Sequence, residues 1–144
     1  MKIFIQLILV GLSISGCVYT RTFKNRDDDL DDAKKVTDQF FNALKKDDFK
    51  SIYPLFSQRF FQVTPKDSLN YIFVMSKNKL GTVETTGITN WGTQVTEGTT
   101  QSGDYMINFT VHRTKFDSKE QIRLVEEEDG KIRIAYYHIT SDGF

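Results

Sequence analysis

The hydrophobic pattern of the chain changes period at Leu80-Gly81. Before it, apolar residues return every third or fourth position; after it, they alternate. Ala33, Val36, Phe40, Ala43 and Leu44 make one stripe of a helix expected over Leu30–Lys46, since 3.6 residues per turn stacks those positions on one face. Tyr105, Ile107, Phe109 and Val111 alternate with polar residues, the mark of a strand with one buried face. A chain helical in its first part and stranded in its second folds as α+β, helices packed on one side of an antiparallel sheet. About four strands are expected.

Local signals divide the helical part further. Asp48 can cap a short helix holding Phe49, Ile52, Tyr53 and Phe56, made irregular by Pro54, and Ser57–Val63 reads as a connector. Thr64-Pro65-Lys66-Asp67 places a cap, a first-turn proline and an acid at the start of a helix that carries Leu69, Ile72, Phe73 and Leu80 and stops at Gly81. Seven of the twelve phenylalanines lie between Phe40 and Phe73, so the helices cover a large apolar surface. Asp27-Asp28-Asp29-Leu30-Asp31-Asp32 lacks the glycine and distal glutamate of a calcium loop; it reads as acid gathered at the positive end of a helix. No metal site and no cofactor is expected.

In the strand part, Val83–Val95 is rich in Thr and Val, with Gly87 and Gly92 suggesting a bulge or bend, and Glu97–Asp104 reads as a turn. A slip of one residue sends every side chain to the other face, so parity limits the turns. Ile122 and Leu124 share a side with Ile132, Ile134 and Tyr136 if the last hairpin has the three-residue loop Glu128-Asp129-Gly130. Leu124 then faces Ile134, and Glu120 faces His138. A two-residue Asp117-Ser118 loop puts Val111 opposite Leu124 and Lys115 opposite Glu120. The inner face would end in a row of Lys115, Glu120 and His138, with His112 on the other face.

The N-terminus carries a different message. Lys2, an apolar run from Ile3 to Ile14, and Ile14-Ser15-Gly16-Cys17 resemble the lipobox of bacterial lipoproteins. The run is too short to span a bilayer, which takes roughly 20 residues. Cys17 is the single cysteine, and thioether attachment of diacylglycerol accounts for an unpaired thiol in an exported chain. Residues 1–16 are therefore expected to be a signal peptide, 17–28 the lipidated cysteine and its tether, and 29–144 one α+β domain. Val18, where aspartate commonly signals inner-membrane retention, favours the outer membrane by resemblance. Nineteen basic and nineteen acidic residues cancel, and no field of one sign points to nucleic acid.

The order of helix, short helix, helix and antiparallel meander resembles the cone-shaped fold named after nuclear transport factor two. The C-terminal part is similar to bacterial lipoproteins and exported proteins carrying a related domain of unknown function, through Leu80-Gly81, Gly103-Asp104-Tyr105, Phe116, Lys119-Glu120, Glu128-Asp129-Gly130-Lys131 and Tyr136-Tyr137-His138-Ile139. Ile132 stands where that pattern has tryptophan. The resemblance implies a curved sheet around the long helices with an open-ended cavity, and a homodimer through the open sheet face. No catalytic motif of the related enzymes carries over.

Two functions follow as expectations. The favoured one is an envelope lipoprotein whose domain binds a protein, a peptide or a small apolar ligand. The alternative is a small acid–base enzyme without cofactor, in which Glu120 raises the basicity of His138 at the cavity mouth. A solvated Lys115–Glu120–His138 cluster is the plainer reading of that row. Trp91, Tyr136 and Tyr137 are candidate ligand contacts, as aromatics with a polar tip, with core packing the plainer reading of each. Two histidines on different faces make no zinc site.

Overall fold

A computed structural model describes residues 19–144; the expected signal peptide over residues 1–16, Cys17 and Val18 lie outside the described residues. The elements are β1 (Thr20–Lys24), α1 (Asp27–Lys45), α2 (Phe49–Ile52), a 3-10 turn (Tyr53–Leu55), α3 (Gln58–Val63), α4 (Lys66–Leu80), β2 (Val83–Gly98), β3 (Ser102–Arg113), β4 (Ser118–Glu126) and β5 (Ile132–Thr140). The strands form one curved antiparallel sheet in the order β1-β2-β3-β4-β5, with the helices on its inner face.

The α+β class holds, and the sheet has five strands among the described residues where about four were expected. The extra one is β1, which lies inside the stretch expected to be tether. It pairs with Gln94–Gly98, and Arg26 fastens it to α1. The Arg26 guanidinium donates to Asp29 at 2.8 and 2.9 Å and to Glu97 at 2.7 Å, and sits 3.9 Å over the Phe23 ring. Helix α1 starts at Asp27, three residues ahead of Leu30, with Asp27, Asp28 and Asp29 in its first turn. The acidic run therefore serves the positive end of a helix, as expected.

Two helix starts differ from expectation. The Ser57 hydroxyl accepts from Phe60 N–H at 3.0 Å and opens α3 inside the expected connector. Pro65, not Thr64, occupies the cap position of α4, with no side-chain bond. Gly81 ends α4 at φ +89°, and a Cβ there would lie 2.0 Å from Thr114 Oγ1, so only glycine fits.

The core is aromatic. Phe40 is fully buried and its ring meets Phe41, Phe56, Phe73 and Tyr137 at centroid distances of 5.1, 6.0, 5.8 and 5.3 Å. Phe41 meets Phe109 at 5.0 Å, which ties α1 to the sheet. Edge-on and tilted pairs at such distances add about 0.5–1.5 kcal/mol each beyond the area they bury.

Between β3 and β4 the register keeps the expected parity and changes the pairings. Tyr105 faces Leu124, Ile107 faces Ile122 and Phe109 faces Glu120. Val111 therefore pairs with Ser118, not Leu124. Four residues, 114–117, join β3 to β4, because Lys115 and Phe116 N–H donate to Leu80 O at 3.0 and 3.1 Å and so satisfy the open end of α4. In the last hairpin Leu124 faces Ile134, and Gly130 sits at φ +73° in the loop, both as expected. Between Arg123 and Leu124 the register shifts, leaving Ala135 as an extra residue, so Arg123 faces Tyr136 and Ile122 faces Tyr137. Every later side chain of β5 changes face. The irregularities of β2 fall at Glu84 and Thr89, not at Gly87 and Gly92.

Candidate functional site

Alternation along β4 turns Ser118, Glu120, Ile122 and Leu124 to the inner face, where all four are buried. Alternation along β3 turns Arg113 to the same face, also buried. The two charged side chains, 2 % and 0 % exposed, pair at 2.6 Å between Arg113 Nη2 and Glu120 Oε1. Arg113 Nε donates to Ser118 Oγ at 3.0 Å, Ser118 Oγ donates to Glu120 Oε1 at 2.8 Å, and Arg113 Nη1 donates to the Gly81 carbonyl at 3.4 Å. Tyr137 Oη donates to Glu120 Oε2 at 2.8 Å. Both carboxylate oxygens are thus occupied, the condition for keeping a charge inside a protein.

Tyr137 reaches this network only because the extra Ala135 turns it inward. Burial, and then the neighbouring Glu120 charge, hold its phenol well above the ordinary tyrosine range. A group whose folded value is raised keeps its full contribution below the unfolded value, about 10, and loses it as pH rises through the folded one. Stability should therefore fall above pH ~10, with Tyr137 adding a slope of up to about 1.4 kcal/mol per pH unit. Tyr137→Phe should cost about 1.5–3 kcal/mol at neutral pH, the worth of a hydrogen bond to a charged acceptor. Urea unfolding of both proteins between neutrality and pH ~11 should show that gap narrowing. A constant gap would mean that Tyr137 is not the titrating group.

The sequence-derived site residues are not brought together. Glu120 pairs with Ile139 across β4–β5, and His138 pairs with Gln121; His138 projects from the outer face, where it is exposed. The expected Glu120–His138 pairing is corrected by the shift at Ala135. Lys115 leaves the row as well, donating to the Asn78 carbonyl at 2.8 Å. Tyr136, expected inside, lies outside with its ring stacked 6.3 Å from His138. Trp91 is half-buried on the inner face opposite Ile107, against the core. His112 Nδ1 lies 2.8 Å from Asp117 on the exposed surface. Among the described residues no His, Cys, Asp and Glu cluster could hold a metal ion. Sequence reasoning missed Arg113, although the run Tyr105, Ile107, Phe109, Val111 points to it as the next inward position.

The open-ended cavity implied by the family resemblance is filled. Between α2, α4 and the inner face a void of about 10 Å³ remains beside Phe73, Ser76, Arg113 and Tyr137, room for one water molecule at most. The large concavity lies on the other side of the sheet. Arg59, Phe60 and Val63 of α3 face Met106, Val125 and Tyr136 across a groove of about 790 Å³, within the range of ligand sites. Val63 is 80 % exposed and Tyr136 44 % exposed there.

Solved structures share the overall fold. A cystatin-like fold protein from Burkholderia xenovorans LB400 superposes with a TM-score of 0.51 at 14 % identity, over 86 % of this chain and 99 % of the other. The fold is the cystatin-like cone. A DUF3225-family protein of unknown function from Pectobacterium atrosepticum SCRI1043 gives a TM-score of 0.51 at 16 % identity, over 82 % of this chain and 94 % of that one. No family model and no curated protein matches the chain. The cystatin-like cone here differs from the expected one in its packed interior.

Proposed function

We propose that this chain is a lipid-anchored protein of the bacterial cell envelope, at the outer membrane, whose cone is a binding module for a peptide or small apolar ligand. The observation that carries the binding role is the contrast between the two sides of the sheet. The inside is filled by aromatic rings and a satisfied ion pair, whereas the groove beside α3 leaves Val63 and Tyr136 in solvent, beside Met106 and Val125 and among the polar Arg59, Gln121, Arg123 and Glu127. Exposed apolar side chains gathered in a concavity mark a contact site. The lipobox-like Ile14-Ser15-Gly16-Cys17 supports the anchor: at about 0.8 kcal/mol per buried methylene, two or three acyl chains hold a protein on a membrane. With β1 starting at Thr20, three positions after Cys17, an anchor on that cysteine would hold the domain close to the lipid surface. The acid–base alternative rested on Glu120 beside His138, and those two side chains lie on opposite faces.

One experiment addresses both parts. The protein, its Cys17→Ser variant and its Tyr136→Ala/Val63→Ser variant are expressed with the signal peptide intact, and an environment-sensitive apolar dye is titrated into each. Wild type is expected in the membrane fraction and Cys17→Ser in the soluble fraction. Dye binding should survive in Cys17→Ser and drop about tenfold or more in the groove variant, since two apolar contacts of ordinary size are worth that much. Unaltered dye binding in the groove variant removes the groove, and a membrane-bound Cys17→Ser removes the anchor.

A further inference from the structure

The two edges of a sheet are its exposed pairing templates, and natural proteins blunt them with charges, prolines or covering segments. Most of the edge length here is treated so. β1 carries Arg21 and Lys24, and β5 carries Arg133 and His138, with Ser57 N–H donating to the Ile134 carbonyl at 2.9 Å across it. One stretch is not. β2 is sixteen residues long and paired with β3 over Val83–Thr96, but on its other side β1 reaches only Gln94–Gly98. Asn25 N–H closes that end on the Thr93 carbonyl at 3.1 Å. At the opposite end the Lys45 ammonium caps the Glu84 carbonyl. Between these stops, Thr85–Gly92 has no strand against its outer edge among the described residues.

The open window has the composition of a paired strand. No charged residue and no proline occurs from Thr85 to Thr96, in a chain where 26 % of residues are charged. Threonine and isoleucine suit a pleated surface. A Cβ added at Gly87 would meet nothing within 4 Å, so there is room over this position for a neighbour's side chains.

We propose that Thr85–Gly92 pairs with the same segment of a second copy, antiparallel about a two-fold axis. Such a contact is its own complement and closes, using up both open windows. It sets uncharged residues against uncharged ones, so no like charges meet directly across the strands. It also directs Glu84 of each copy toward the β1 end of the other, where Lys24 is exposed. The stops at Asn25 and Lys45 limit the added strand to this window and so limit its register. This dimer joins sheet edges and leaves both outer faces and both α3 grooves free. It is separate from the proposed ligand groove and from the face-to-face dimer that the family resemblance implies.

Sedimentation velocity on the purified full-length protein in mild detergent is expected to find a dimer. Gly87→Lys introduces the residue that natural edges use for blunting, at an exposed position with space for it. It should weaken self-association about tenfold or more with the thermal transition of the fold retained. Gly87→Glu should do the same. Tyr136→Ala, on the outer face, should leave the dimer intact. A monomeric wild type, a dimer indifferent to Gly87→Lys, or one dissociated by Tyr136→Ala would each overturn the edge pairing.

Discussion

Glu120→Ala should destabilise the protein by about 3–5 kcal/mol, the usual cost of removing one partner from a buried ion pair. The Arg113 guanidinium would stay inside, 2 % exposed, with only Ser118 Oγ and the distant Gly81 carbonyl to accept from it. Domains of this size hold roughly 5–15 kcal/mol in total, so the change would consume a large part of the stability. Glu120→Gln keeps acceptor capacity toward Tyr137 and Ser118 but removes the charge, and should fall between the two. The informative companion is Arg113→Met/Glu120→Leu. Replacing both charges by apolar side chains of similar volume is often neutral, or stabilising by about 1–4 kcal/mol. The double variant should therefore unfold later in urea than Glu120→Ala does. A Glu120→Ala protein within about 1 kcal/mol of wild type would mean that the pair contributes as a surface pair does.

Why this network was only half legible can be argued residue by residue. The inward position of Glu120 follows from alternation with Ile122 and Leu124, and Arg113 lies two positions beyond Val111 in the same register. Tyr137 was hidden. Tyr136 and Tyr137 are chemically alike, and no glycine marks the shift, so period-two patterning ran on from Ile132 and Ile134 to Tyr136, the wrong one of the two. The choice is made at a distance: Tyr137 meets Phe40 at 5.3 Å and Phe73 at 6.0 Å and donates to Glu120, contacts that exist only after the helices have docked. Short elements failed for a related reason. β1 has five residues, four of them exposed, and α3 has six, too few for either period to emerge. The Ser57 cap was the one local sign of α3. Long elements with strong periods, α1, α4 and β3, were read directly from the chain, as was the Gly130 loop.

Phe40→Ala tests the filled interior itself. Phe40 is wholly buried, and its ring touches aromatic rings from α1, the turn before α3, α4 and β5, so no single neighbour can move in without losing its own partners. A loss of about 3–5 kcal/mol is expected, the transfer of the ring plus the void left behind, measured by urea unfolding. Phe116→Ala, at a ring 51 % exposed, should change stability by no more than about 0.5 kcal/mol. The void would be lined by Phe41, Phe56 and Phe73, and an apolar void of that kind stays dry and accepts benzene or xenon. Saturating benzene should raise the melting temperature of Phe40→Ala and leave wild type unchanged, because only the variant has a site to fill. Tyr137 is the shared neighbour of the ring cluster and the ion pair, so Phe40→Ala and Tyr137→Phe should be non-additive by about 0.5–3 kcal/mol. Strict additivity would show that the two halves of the interior act independently, and that the inward turn of β5 at Ala135 is not held by both.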